Sequence, residues 1–201
     1  PARCSTSVRA RAATSALARR GHTADAVEMT EKFAEIIGSE AAREGLDVRV
    51  IRRDVFDKLD DLRTDYRLIL LSEVVSDFRN PDQLRQLFEL AAHCLAPGGY
   101  LLFNIFLPRD GYALDDAARQ LGQQCYTSMF THSELAAAGA GLPLYLVADD
   151  SVYEYEKAHL PAESWPPTSW YANWVNGQDV FDVPMERRPV EMRWLVYRKS
   201  V

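Results

Sequence analysis

Short strand-like runs alternate with punctuated helical stretches along most of this chain. That alternation is the feature that most constrains its fold. "TADAVEM", "DVRVIRRDVF", "DYRLILLSEVV" and "YLLFNIFL" read as strands, and capped or glycine-stopped helical stretches stand between most of them. The order is helix, strand, helix, strand, strand, helix, strand, helix, strand, insertion, strand. Such an order implies an α/β fold with a mostly parallel sheet and helices on both faces.

The punctuation supports each element. Val8 to Arg20 is rich in alanine, a strong helix former, and Gly21 closes it, with Arg19 and Arg20 in the last turn where cations suit the dipole. Thr23 to Met29 follows as a short strand ending in Glu28. In "TEKFAEIIGSEAAREG", Phe33, Ile36, Ile37 and Ala41 fall on one face and Gly45 stops the helix. The next strand ends near Asp54. The apolar run Leu68 to Leu71 suits a central strand buried on both faces.

"NPDQLRQLFELAAHCLAPGG" is the best-marked helix. Asn80 caps it, Pro81 takes the first helical position, and Gln83 the third. Leu84, Leu87, Phe88, Ala91 and Leu95 form its core stripe, and Pro97-Gly98-Gly99 is the expected stop. Asp115 to Gln124 reads as helix, and Thr131-x-x-Glu134 is a capping box that opens another. "LPLYLVADDSVYEYEKAHL" reads as a long strand and "VEMRWLVYRKS" as the last one. Residues 160–187 form an aromatic insertion between these two strands.

Bulk properties narrow the partners. At 201 residues, with 47% hydrophobic and 26% charged residues, the chain is expected to form a single domain over 1–201. A net charge of −6 argues against a nucleic-acid partner. The three cysteines, Cys4, Cys94 and Cys125, are far apart, which suggests a reducing, cytoplasmic setting. No apolar run approaches the roughly 20 residues that span a bilayer, so no membrane is expected. No His/Cys cluster has metal-ligand spacing, so no metal is expected either. The stretch before Asp25 is Arg-rich and acid-free, as in an organellar transit peptide, but its helix runs into a strand with no spacer for cleavage. Because the chain begins at Pro1, the natural start, and a first strand with it, is expected to be missing.

In open parallel sheets, ligands bind beyond the carboxyl ends of the strands. The informative residues there are Glu28, Asp54, Ser72-Glu73 and Asn104. A carboxylate at the position of Glu28 can accept hydrogen bonds from both hydroxyls of a ribose, and Glu28 stands about 20 residues after Thr6, a spacing that diphosphate cofactors use. Asp54 ends the next strand in the same way and can bond an adenine amino group. Solvated strand ends are the competing reading, and the repetition favours a nucleoside-type ligand.

"ALARRGHTADAVEMTEKFAEI", "RDVF", "DYRLILLSEVV" and "LAPGGYLLFN", in that order and spacing, resemble the class I S-adenosylmethionine-dependent methyltransferases. The resemblance covers about Cys4 to Phe106, and more loosely the last two strands. It implies a Rossmann-like sheet, mostly parallel, whose last strand is antiparallel, with S-adenosylmethionine as cofactor. It implies that Glu28 holds the ribose, Met29 packs on the adenine, and Asp54 and Val55 bind or cover the adenine edge. It implies that Ser72, Glu73 and Val74 line the methionine and substrate side. One departure stands out. The family's glycine loop aligns with "ARCSTSV", where Cys4, Ser5, Thr6 and Ser7 replace glycines that would let backbone approach the cofactor. Cys4 and Thr6 are nevertheless the expected loop contacts.

Methyl transfer needs alignment and exclusion of water, and a general base only where the acceptor must lose a proton early. Glu73 and His159 are the base candidates, with Asp77 more simply a loop carboxylate, His22 structural in the turn after the first helix, His93 on a helix surface and His132 within the capping box. Trp165, Trp170, Tyr171 and Trp174 crowd the insertion. They either nail it to the core or form a wall for an organic substrate. The expected function is methyl transfer to oxygen or nitrogen of a small organic molecule. A catalytically silent binding or scaffold protein of the same fold is the first alternative. A nicotinamide-dependent reductase is the second, and it lacks the glycine loop.

Overall fold

The computed structural model describes residues 13–57, 62–124, 127–166, 174–175 and 189–201. The chain divides into two compact units, Pro1–Leu62 and Arg63–Val201.

The first unit is a β-α-β element preceded by a helix, α1, whose described residues are 13–19. Gly21 adopts φ +85°, and the Gly21 and His22 N–H groups bond back to Ala18 and Leu17, closing α1 as a Schellman turn. Strand β1 (Ala24–Glu28) leads to α2 (Glu31–Glu44) and β2 (Val48–Arg52). Gly45 repeats the closure at φ +64°. β1 and β2 are parallel, in register from Ala24↔Val48 to Glu28↔Arg52. Ala34, Ile37 and Ala41 of α2 are buried, and α2 packs on both strands. Asp25 and Arg49 are Cα partners and pair across the strands, with Arg49 Nε donating to Asp25 Oδ1 at 3.0 Å.

The second unit holds β3 (Tyr66–Leu71), a 3-10 turn at Val75–Asp77, α3 (Pro81–Cys94), β4 (Leu95–Pro108), α4 (Asp116–Gln124), α5 (His132–Gly139), β5 (Leu144–Ser151), α6 (Val152–His159), a second 3-10 turn at Ala162–Ser164 and β6 (Val190–Lys199). Its sheet has the order β3-β4-β6-β5. β3 and β4 are parallel, and β6 runs antiparallel to both of its neighbours. The result is a mostly parallel α/β fold with an antiparallel last strand, as expected.

Helix α3 forms as its sequence dictates. Asn80 Oδ1 accepts the Gln83 N–H at 3.2 Å, Pro81 starts the helix, and Leu84, Leu87, Phe88 and Ala91 are fully buried. Phe88 meets Tyr197 edge-on at 4.7 Å, and Tyr197 stacks on Phe103 at 6.0 Å. The opposite face of the sheet carries Phe106, Val152, Val190 and Met192, with Trp165, Trp174 and Trp194 packed against them.

Four expectations are corrected. Helix α3 ends at Cys94, and Pro97-Gly98-Gly99 lies inside β4, because Leu95 already pairs with Tyr66. A Cβ on Gly99 would stand 2.9 Å from the Tyr66 carbonyl, so this strand entry depends on glycine. Among the described residues, strand β3 is the outer strand of its sheet, with Leu68 38% exposed, and not central. An apolar run reports burial only on average and says nothing of neighbours. β4 continues to Pro108, so Asn104 is interior to the strand and not at its end. Finally, the long strand expected through His159 stops at Ser151, whose Oγ accepts the Glu154 N–H at 3.4 Å and opens α6. The tyrosine–glutamate alternation there matches a strand, and the local cap overrides it.

Candidate functional site

The first unit brings two of the predicted acids to one edge. Glu28 and Arg52 are Cα partners, so Glu28 and Asp54 emerge at the carboxyl end of the same parallel pair. Glu28 is half-buried; its Oε1 accepts the Thr30 N–H at 2.7 Å, and its carbonyl accepts the Arg53 N–H at 3.1 Å. This fixes the carboxylate just ahead of α2. Met29, beside it, is 67% exposed, a large apolar side chain held in solvent. Asp54 is exposed and Val55 half-buried; Asp54 Oδ1 accepts the Phe56 N–H at 2.9 Å, forming an Asx turn. The ends of the two paired strands thus present a carboxylate with an apolar side chain beside it on one strand and a second carboxylate two residues past the other.

The second unit gathers polar groups beyond β3. Ser72 is buried, and Glu73 is 2% exposed. Glu73 has φ +59°, the left-handed region, which a side chain enters at a cost and which is enriched at functional sites. Its N–H donates to Asn104 Oδ1 at 2.6 Å, and Asn104 Nδ2 donates to Met192 Sδ at 3.1 Å. Ser76 Oγ donates to the Glu73 carbonyl at 3.4 Å, and the Ser128 N–H to the Ser76 carbonyl at 2.8 Å. Val74 is half-buried and Asp77 exposed. Asn104 stood out in the sequence as a lone carboxamide in the apolar run "YLLFNIFL", but its bond to the Glu73 N–H did not.

The remaining candidates are scattered. His159 closes α6, is exposed, stacks on Tyr155 at 4.2 Å and has Nδ1 2.7 Å from the Tyr155 carbonyl. His93 is exposed on α3, and His132 Nε2 lies 3.9 Å from Asp149 Oδ2. Trp165 meets Tyr153 edge-on at 5.6 Å, and Trp174 meets Phe106 at 5.5 Å, so both anchor their segment to the core. Cys4, Thr6, Trp170 and Tyr171 lie outside the described residues. A groove of about 390 Å³ opens between α5 and β5, bordered by Leu135, Leu146, Asp149 and Tyr197. It contains none of the predicted residues. Among the described residues, no helix is long and apolar enough to cross a membrane.

No protein-family model matches the sequence, and no curated protein matches it. Solved structures do match in three dimensions. One is a protein from Galdieria sulphuraria assigned as a sarcosine dimethylglycine methyltransferase (TM-score 0.66, 17% identity, 94% of this chain and 74% of that one). A second is geranyl diphosphate C-methyltransferase from Streptomyces coelicolor A3(2), in complex with Mg2+, geranyl diphosphate and S-adenosyl-L-homocysteine (TM-score 0.65, 14% identity, 95% and 70%). A third is the O-methyltransferase of a trans-AT PKS multienzyme from Brevibacillus brevis, in complex with S-adenosyl-L-homocysteine (TM-score 0.63, 19% identity, 93% and 62%). The chain has the Rossmann-like class I methyltransferase fold. At these identities the likeness concerns the fold.

Proposed function

We propose that the chain is an S-adenosylmethionine-dependent methyltransferase acting on oxygen or nitrogen of a small organic acceptor. The observation that carries this reading is the pair Glu28 and Asp54 at the ends of adjacent parallel strands, with exposed Met29 between them in sequence. That set fits an adenosine. Glu28 Oε1 is taken by the Thr30 N–H, which leaves Oε2 for a ribose hydroxyl. Met29 offers an apolar surface for the purine, and Asp54 and Val55 its edge. Cys4 and Thr6 are assigned to the loop that would follow the cofactor's methionine half.

When bound, the cofactor supplies an electrophilic methyl group on sulfur. The protein's task is then to align the acceptor and exclude water. Ser72 and Glu73 are assigned to the methyl-transfer side, with Glu73 as the group that takes a proton from a hydroxyl or ammonium acceptor. His159 is the second base candidate; Trp170 and Tyr171 are assigned to an organic substrate's wall, to which Trp165 and Trp174 contribute whatever ring surface their core contacts leave. The solved relatives of the fold carry O- and C-methyltransferases, so the acceptor atom is set by each site and not by the fold.

Calorimetric titration with S-adenosylhomocysteine tests the reading. Binding is expected, and Glu28→Ala should weaken it by about 1–3 kcal/mol, the worth of a charged hydrogen bond. Absence of binding in a folded, full-length chain refutes the enzyme and leaves the silent scaffold. Displacement by NADH alone would point to the reductase.

A further inference from the structure

Asn104 joins a buried carboxamide to a strained backbone. It is 1% exposed, inside β4, in a run that is otherwise apolar. A carboxamide buried there must find its partners within the protein. It finds them on both sides. Oδ1 accepts the Glu73 N–H across the β3–β4 boundary, and Nδ2 reaches Met192 Sδ on β6. The orientation follows from chemistry, because a backbone N–H can only donate, so the oxygen must face it.

Glu73, two residues past the end of β3, holds φ +59°. Only glycine enters this region freely. A glutamate stays there when its surroundings over-determine it. The Glu73 N–H donates at 2.6 Å to a side chain that packing immobilises.

We infer that Asn104 is a positioning residue. Its carboxamide locks the Glu73 turn in the left-handed form, and so sets where the Ser72 hydroxyl and the Glu73 carboxylate stand at the carboxyl end of β3. The role builds on the reading of Ser72 and Glu73 as site residues. Asn104 acts through the Glu73 backbone and touches no substrate. A side chain that merely filled space there would be replaced without loss by leucine, which has a similar size.

The experiment compares the native chain with Asn104→Leu and Asn104→Asp. Leucine removes the acceptor at nearly constant volume; aspartate keeps an oxygen in the same place. Amide hydrogen exchange at Glu73 is read first, without ligand, and S-adenosylhomocysteine is titrated second. In the native chain the Glu73 amide should exchange at least about 100-fold more slowly than in an unstructured peptide. Asn104→Leu should lose about 10-fold or more in both protection and affinity, and Asn104→Asp should keep both within about 3-fold. Fast exchange at Glu73 in the native chain overturns the inference. So does an Asn104→Leu protein with native protection and affinity. Should Asn104→Leu not fold, loss of protection in a folded Asn104→Asp protein overturns it equally. If the native chain binds no S-adenosylhomocysteine, the methyltransferase reading fails while the exchange measurements still decide the role of Asn104.

Discussion

Arg193 of β6 grips Asp149 of β5. Its Nε pairs with Asp149 Oδ1, and its Nη2 donates to the Asp149 carbonyl at 2.7 Å. The same guanidinium reaches Glu191 Oε1 through Nη1 at 2.7 Å, and Ser151 Oγ donates to Glu191 Oε2 at 3.2 Å. One cation thus serves two carboxylates on the adjacent strands β5 and β6. Arg193→Met removes the charge both depend on. Glu191 is buried but Arg193 and Asp149 are only partly so, and the loss should be about 2 kcal/mol, below that of a fully buried pair. Urea denaturation measures it; an unchanged midpoint would mean that solvent screens the cluster fully.

Tyr197 gives the fold an alkaline limit. Burial, with the Asp149 charge adding to it, pushes its phenol from 10.0 up to about 12. A phenol whose folded pKa is raised contributes stability that is complete below pH 10 and falls as pH rises through 12. The size is about 3 kcal/mol for a shift of this order. Tyr197→Phe should flatten the alkaline arm of stability against pH. Phenolate absorbance should show a tyrosine titrating near 12 that this variant lacks.

An acidic limit comes from the first unit. Arg19 Nε donates to Glu44 Oε2 at 2.6 Å and Nη2 to Oε1 at 2.8 Å, tying α1 to α2. These bonds, with Arg43 adding to them, lower the Glu44 carboxyl from 4.5 to about 2. A depressed folded pKa stabilises above 4.5, and the gain is lost as pH falls towards 2. The pair is exposed, so the effect is small and salt-sensitive. Glu44→Gln should melt closest to the native chain at low pH and diverge from it as pH rises past 4.5. Equal separation of the two curves at every pH would contradict the assignment.

Helix α3 separates local from tertiary stabilisation. Asn80→Ala deletes one cap and should cost about 1 kcal/mol. Phe88→Ala opens a cavity beneath Tyr197 and Phe103 and should cost about 3–5 kcal/mol. Chemical denaturation of both variants gives the ratio. A cap loss as large as the cavity loss would show that α3 is not held by its buried face.

Elements with local chemistry were legible from the chain alone. Asn80-Pro81 starts α3, Thr131 and Glu134 form the full capping box of α5, and Gly21 and Gly45 close their helices with left-handed turns. Each rests on interactions within a few residues, which a sequence states directly. Two of the errors fell where a local signal met a competing demand. "SVYEYEKAH" has the alternation of a strand and the cap of a helix, and the cap prevailed. "LAPGG" has turn composition, yet Leu95 is drawn into pairing with Tyr66.

The candidate site divides along the same line. Glu28 and Asp54 were visible because parallel strands carry their last residues to one edge, a consequence of order alone. The left-handed turn at Glu73, and its hold by Asn104, were decided only in three dimensions. A hydrogen bond from Glu73 to a carboxamide on the next strand depends on the β3–β4 register and on which face Asn104 takes. Sequence periodicity sets neither, since both follow from how the core packs around Met192 and Phe106.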